Sequence, residues 1–137
     1  MIGGRPERYD LTMLIPNSVF QVGRIVIGAA FVAAPEAVGK SWIGDAANAD
    51  GGIMARAFGG RDIALGAATL IAAREPKTLA PMLALGVMVD TIDSAATLAA
   101  GDKIPDRARY VSAAVAAWAA LNGFRLFTRA RRGATAG

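Results

Sequence analysis

The hydrophobic residues fall in four long runs, which predict four helices in up-down order. The runs cover residues 17–34, 53–73, 79–100 and 110–127, and each is 18 to 22 residues long. None alternates between apolar and polar residues with the period of a strand, and the high Ala and Leu content favours helix. Short turns with Pro or Gly separate the later runs. The pattern therefore predicts an all-α fold.

The length and uniform apolarity of the runs indicate a membrane protein. About 20 mostly apolar residues cross the hydrocarbon core as a helix, whereas a helix of a soluble bundle needs a polar face. Residues 111–121 contain Ser112 as their only polar residue. We therefore expect a four-helix up-down transmembrane bundle over residues 17–128, with a polar lead over 1–16 and a basic tail over 129–137. A soluble Ala-rich bundle, or a soluble protomer buried in an oligomer, is the alternative.

The segment between the first two runs is polar and rich in Gly, with a short amphipathic patch formed by Val38, Trp42 and Ile43. We expect this segment to lie at the membrane surface, where Trp42 is an interface anchor. A loop that buries Trp42 is an equally good interpretation.

The basic residues outside the runs favour one predicted side of the membrane. Four lie on the other side: Lys40, Lys103, Arg107 and Arg109. Seven lie in the lead, the turn at 74–77 and the tail: Arg5, Arg8, Arg74, Lys77, Arg129, Arg131 and Arg132. The positive-inside rule then predicts a multi-pass protein of the inner membrane with both termini in the cytoplasm. The net charge of +4 suits anionic lipid headgroups at the tail, and no aromatic and basic platform for nucleic acid occurs.

An N-terminal signal peptide is a weaker interpretation of the first run. Arg5 and Arg8 precede the apolar residues 25–34, as in a signal peptide, but Arg24 interrupts the run and Pro35 would follow the cut.

Composition removes most catalytic chemistry. The chain is 54% hydrophobic and contains neither Cys nor His, so thiol nucleophiles, Ser-His-Asp triads and the usual metal ligands are excluded. We expect no enzyme activity, no catalytic residue, no metal and no cofactor. The segment 59–62 (GGRD) superficially resembles a phosphate loop, but its glycines lie inside a run and favour helix packing.

Five charged residues lie near the middle of the first three runs: Arg24, Arg61, Asp62, Asp90 and Asp93. Each costs about 2.5–3.5 kcal/mol at the centre of a membrane helix, so they are expected to pair. Arg61 and Asp90 are nearly equally far from the turn between their runs and should lie at the same depth. We therefore predict that Arg61 pairs with Asp90 and Asp93, and that Arg24 pairs with Asp62.

Small and polar residues accompany these charges along one face of each run and are expected to allow close helix contact. The small residues include Gly28, Gly59, Gly66, Gly86 and Gly123. The possible periphery of the polar network is Gln21, Thr69, Thr97, Asn122 and Arg125. The network is interpreted as a buried ion-pair lattice that fixes helix packing. An ion or proton path, or contact with another subunit, is the alternative.

Three short motifs resemble a known family. They are Arg24, Gly28 and Pro35 in the first run, the segment 59–66 in the second, and the segment 90–96 in the third. The chain resembles the small four-helix membrane proteins of high-GC actinobacteria, for which no activity is assigned. Its first run is also similar to that of DoxX-like membrane proteins. This more distant resemblance implies quinone or thiol redox chemistry, and the lack of Cys and His speaks against a thiol role.

The sequence thus predicts an accessory or structural subunit of a larger membrane assembly, with a membrane protein or further copies of itself as partner. A small transporter, or a membrane protein that binds a lipid or another small molecule, is the first alternative. A quinone-linked redox protein is the second.

Overall fold

The computed structural model describes residues 15–43 and 49–135, which form five α-helices. The helices are α1 (Asn17–Ala33), α2 (Pro35–Ile43), α3 (Ala49–Ala72), α4 (Pro76–Ala99) and α5 (Asp106–Thr135). A short 3-10 helix, Gly101–Lys103, joins α4 to α5. The described residues contain no strand, so the predicted all-α class is confirmed. Arg5 and Arg8 lie outside the described residues.

Proline and glycine set the boundaries between the helices. α1 ends before Pro35, which begins α2, and the two axes differ by 116°. Pro76 occupies the first turn of α4, where its missing N–H leaves no helical bond unmade. Gly101 adopts a positive φ of 60° in the turn after α4, a conformation that other residues rarely accept. The first half of the segment expected at the membrane surface is therefore helical.

The helices pack as two pairs, α1 with α3 and α4 with α5, and contacts between the pairs are sparser. The α1–α3 contact depends on glycine, because a Cβ on Gly28 would lie 2.5 Å from the carbonyl oxygen of Gly59. A Cβ on Gly66 would lie 2.9 Å from the carbonyl oxygen of Gln21. The two backbones therefore touch, as the small-residue pattern predicted.

The second pair is antiparallel, and two contacts define its register. The hydroxyl of Ser94 in α4 donates a hydrogen bond to the carbonyl oxygen of Ala113 in α5 at 3.0 Å. Seven residues earlier in α4, the Val87 side chain lies 3.1 Å from where a Cβ on Gly123 would stand. α2 contacts both pairs, α1 and α3 in the first and α5 in the second.

Within residues 15–43 and 49–135, fewer helices suit a membrane than the four that the sequence predicts. α4 and α5 are long and apolar enough to cross a membrane, and α1 with α2 adds a third span if the bent pair is counted as one. α3 is 24 residues long, but it carries Arg56, Arg61 and Asp62. These charges make α3 too polar to count as a membrane span by itself. A chain with two or three candidate spans fits a membrane protein. The finer expectation of a four-helix up-down bundle is not established.

α5 extends beyond the predicted fourth run at both ends. The run covers residues 110–127, whereas the helix continues from Asp106 to Thr135. Arg129, Arg131 and Arg132 therefore belong to a continuous helix rather than to an irregular tail. At about 1.5 Å per residue, this 30-residue helix is about 45 Å long.

Replacing Gly59 by Ala is expected to destabilise the α1–α3 pair. The new Cβ meets the backbone of Gly28, which cannot rotate away, so we expect a loss of about 1–3 kcal/mol in the free energy of unfolding. Gly60→Ala is the matched control, because nothing lies within 4 Å of its Cβ position and Ala favours the helix by about 1 kcal/mol. Thermal unfolding in mild detergent, monitored by circular dichroism, measures the stability of both variants. Equal stability of the two variants would contradict the close contact.

Candidate functional site: a buried arginine–aspartate network

The mid-helix charges meet in one network, and its centre is the Arg24 guanidinium. Nη1 of Arg24 donates to Oδ1 of Asp62 at 3.3 Å, and Nη2 donates to Oδ2 of Asp90. One side chain of α1 thus holds a carboxylate of α3 and a carboxylate of α4. The predicted Arg24–Asp62 pair is present.

Arg61 forms the second half of the network. Its Nη1 and Nη2 donate to the two carboxylate oxygens of Asp93 at 3.0 and 2.6 Å, the bidentate geometry that suits a planar guanidinium. Nη2 also lies 3.5 Å from Oδ1 of Asp62, so Asp62 joins the two halves. The predicted Arg61–Asp93 pair is therefore present.

The predicted Arg61–Asp90 pair is wrong. Asp90 pairs with Arg24 of α1, and no ion pair joins it to Arg61 among the described residues. Counting residues from the turn placed Asp90 at the correct depth, but depth does not determine which neighbouring helix a side chain faces. Each helical residue advances by about 100°, so the three residues from Asp90 to Asp93 advance by about 300°. The two side chains therefore leave α4 in directions about 60° apart.

Burial differs between the two halves. The side chains of Arg24, Asp62 and Asp90 are 6%, 10% and 8% exposed, whereas those of Arg61 and Asp93 are 34% and 24% exposed. Electrostatic attraction is stronger where water is excluded, and an unpaired charge is also costlier there. The Arg24 half is consequently the part on which the packing depends most.

Two phenylalanines that the sequence did not single out support the arginines. The Arg24 guanidinium carbon lies 5.6 Å from the ring centre of Phe20, and that of Arg61 lies 4.5 Å from the ring centre of Phe58. Cation–π contacts of this kind orient a guanidinium. The spacings of four and three residues place each ring on the same helix face as its arginine, a signal that the sequence did contain. Phe20 also contacts Trp118 of α5 edge to face, with ring centres 6.0 Å apart.

Two of the predicted peripheral residues lie beside Arg24. Gln21 and Thr69 are buried and line the same small cavity as Arg24 and Asp90. The Gln21 amide donates to Oδ1 of Asn17 at 3.1 Å, and the Thr69 hydroxyl donates to the Leu65 carbonyl oxygen at 2.7 Å. They therefore border the network without bonding to its charges in the described structure.

The other three peripheral residues have different positions. The Thr97 hydroxyl donates to the backbone carbonyl of Asp93 at 2.7 Å, next to the network. Asn122 is buried in α5, and its Nδ2 has no hydrogen-bond partner among the described residues. Arg125 is exposed one turn later, so it does not cap the buried network as the sequence suggested.

Trp42 is half-buried rather than fully exposed at a surface. Its ring packs edge to face on Phe31 of α1, with centres 5.8 Å apart. Its backbone carbonyl accepts a hydrogen bond of 3.0 Å from the Ser112 hydroxyl of α5. Trp42 thus connects α2 to α1 and to α5. A tryptophan that served only as an anchor at the membrane surface would not need these contacts.

The cavity beside Arg24 and Asp90 has a volume of about 10 Å³. This is close to the smallest space that holds one water molecule. Gly86 and Leu83 of α4 and Gly123 of α5 complete its wall. In the described parts of the chain, no group of three or more acidic side chains is arranged to hold a metal ion.

Comparison with protein families, with curated proteins and with solved structures finds no match to this chain. The resemblance to the actinobacterial four-helix proteins and to DoxX-like proteins therefore stays a prediction.

Arg24→Met is expected to loosen the contact between the two helix pairs. It leaves Asp62 and Asp90 buried without their main partner, and breaking a buried pair in this way costs about 3–5 kcal/mol. The matched change Arg61→Met should cost less than half of that, because water reaches Arg61 and Asp93. Denaturant unfolding in mild detergent compares the two variants. A greater loss for Arg61→Met would contradict a network centred on Arg24.

Proposed function

We propose that this chain is a small integral protein of the cell inner membrane that serves as an accessory or structural subunit of a larger membrane assembly. The observation that carries the proposal is the paired network itself. Every one of its five charged side chains has an ionic partner, and the adjoining cavity has room for at most one water molecule. Such an arrangement holds helices in register and offers little space to a substrate.

The distribution of polarity supports placement in a membrane. Arg24, Asp62 and Asp90 are buried, whereas large aliphatic side chains such as Ile53 and Leu121 are 71% and 66% exposed. A protein in water places these groups the other way round. In a bilayer, ionisable side chains face the interior of the bundle and apolar side chains face lipid.

The paired network supports a packing role. Arg24–Asp90 and Arg61–Asp93 both connect the α1–α3 pair to α4, across the boundary where helix contacts are sparse. Apolar packing between membrane helices gains little from the hydrophobic effect, because lipid is equally apolar. Ion pairs across this boundary therefore select one arrangement of the two pairs.

Orientation and partners belong to the same proposal. The excess of basic residues at the turn between α3 and α4 and in the last turns of α5 favours a cytoplasmic location for that end and for both termini. The exposed apolar faces are available to lipid and to a membrane-protein partner or a further copy of this chain. We propose no nucleic-acid partner.

One observation favours a second candidate, a small transporter or a protein that binds a small molecule. The network contains three carboxylates and two guanidiniums, so one negative charge is in excess. Asp90, one of the three carboxylates, lines the small cavity, and an ionisable group in a membrane is a common element of an ion path.

Purification in mild detergent tests the accessory role. We expect one membrane protein to be retained in fixed stoichiometry with the tagged chain, because this partner would cover the exposed apolar faces of the helices. The measurement is mass spectrometry of the purified complex after stringent washing. Recovery of the chain only as an isolated homo-oligomer would refute an accessory role in a hetero-assembly.

Asp90→Asn separates the structural role from transport. In a structural network this variant removes the α4 partner of Arg24, which then keeps only Asp62, and the chain accumulates poorly. Adding Arg24→Gln replaces the broken ion pair by two neutral amides and restores accumulation. In a transporter, Asp90→Asn folds normally and abolishes flux, for which proton flux into proteoliposomes with an enclosed pH-sensitive dye is the probe. Normal accumulation of Asp90→Asn together with loss of proton flux would favour the transporter.

A further inference from the structure

Two chain segments distant in sequence bring their basic residues to one end of the bundle. The Ser94–Ala113 and Val87–Gly123 contacts set the antiparallel register of α4 and α5. Because both helices rise equally per residue, the same register places Lys77 level with residues 130–133 of α5. The turn between α3 and α4 therefore lies beside the last turns of α5.

This end, here called the basic end, carries a strong excess of positive charge. Glu75 is the one acidic residue within the segments 74–77 and 125–135. The basic members are all exposed: Arg74, Lys77, Arg125, Arg129, Arg131 and Arg132. At the opposite end, acidic and basic residues alternate, and Arg109 is paired with Asp106 at 2.7 Å.

The basic end borders directly on exposed apolar side chains. Ile71 lies in the last turn of α3, three residues before Arg74 of the following turn, and Leu121 lies four residues before Arg125 on the same face of α5. Phe124 is also exposed, one turn before Thr128. A phospholipid has acyl chains next to a phosphate group. The exposed apolar side chains suit the acyl chains, and the adjacent basic side chains suit the phosphate.

The length of α5 places these basic residues at the depth of the lipid headgroups in a bilayer. Its charge-free stretch, residues 110–124, is about 22 Å long, and the whole helix is about 45 Å long against a hydrocarbon core of about 30 Å. When that stretch is centred in the core, Arg125 lies just inside its edge, and Arg129, Arg131 and Arg132 stand at the level of the lipid headgroups. Arginine and lysine stems also extend along apolar surface while their charges stay in the polar layer.

We propose that the basic end is a binding surface for anionic phospholipid headgroups, formed jointly by the turn between α3 and α4 and the last turns of α5. The inference rests on the membrane placement proposed above and adds a lipid class to it. Phosphate oxygens match guanidinium groups in charge and geometry. Nucleic acid is a poorer match, because the flanking surface, with Ile71, Leu121 and Phe124, is apolar and suited to acyl chains.

The experiment reconstitutes the full chain in phosphatidylcholine bilayers and measures the competition between spin-labelled phosphatidylglycerol and spin-labelled phosphatidylcholine for the lipid shell of the protein. We expect a preference for phosphatidylglycerol that decreases with added salt. The double variant Lys77→Gln, Arg129→Gln should lower that preference by about fivefold for each charge removed.

The matched control is Lys103→Gln with Arg107→Gln, which removes one lysine and one arginine from exposed positions at the opposite end. We expect it to keep the phosphatidylglycerol preference of the original chain. Equal loss in both double variants would overturn a defined surface, because total charge alone would then explain the preference.

Absence of any phosphatidylglycerol preference in the reconstituted original chain would also overturn the proposal. Binding of an acidic oligonucleotide to the basic end in place of lipid would overturn it too. Failure of the chain to enter bilayers of either lipid would instead refute the membrane placement itself.

Discussion

The Arg24 guanidinium, held between Asp62 and Asp90, is the interaction on which the arrangement of the helices depends. One side chain of α1 bonds to α3 and α4 together, and it is buried where an unpaired charge is most costly. α1 lies against α3 with its backbone in contact, which Gly28 and Gly59 permit. The same contact brings Arg24, one turn before Gly28, beside Asp62, three residues after Gly59.

The network also explains how two helix pairs become one unit. Within each pair, close apolar packing supplies the contact, and between the pairs the ion pairs to α4 carry much of the connection. Ion pairs are directional, whereas apolar surfaces slide with little change in energy. Among the described residues, alanine supplies half of the buried hydrophobic side chains, Ala80 and Ala113 among them, and these few polar bonds add the defined geometry.

Sequence reasoning predicted those features that depend on position along a helix. The helical class, close helix contact through small residues, and the Arg24–Asp62 and Arg61–Asp93 pairs were predicted from periodicity and from the position of each charge within its run. The partner of Asp90 could not be predicted, because depth leaves open the direction around the helix axis. The bend between Ala33 and Pro35 and the full length of α5 were missed for a related reason, since hydropathy marks apolar residues and not where a helix ends. Phe20 and Phe58 were missed although their spacing to the arginines was visible.

The polarity of α3 has a consequence for how such a chain would enter a bilayer during synthesis. Arg61 and Asp62 emerge from the ribosome before Asp93, which follows Arg61 by 32 residues and lies in the next helix. α3 carries three charged side chains and does not qualify as a span by its own composition. In the proposed bilayer it would therefore enter together with α4, as a hairpin in which Asp93 neutralises Arg61, so that synthesis of α4 would be the step on which its insertion depends.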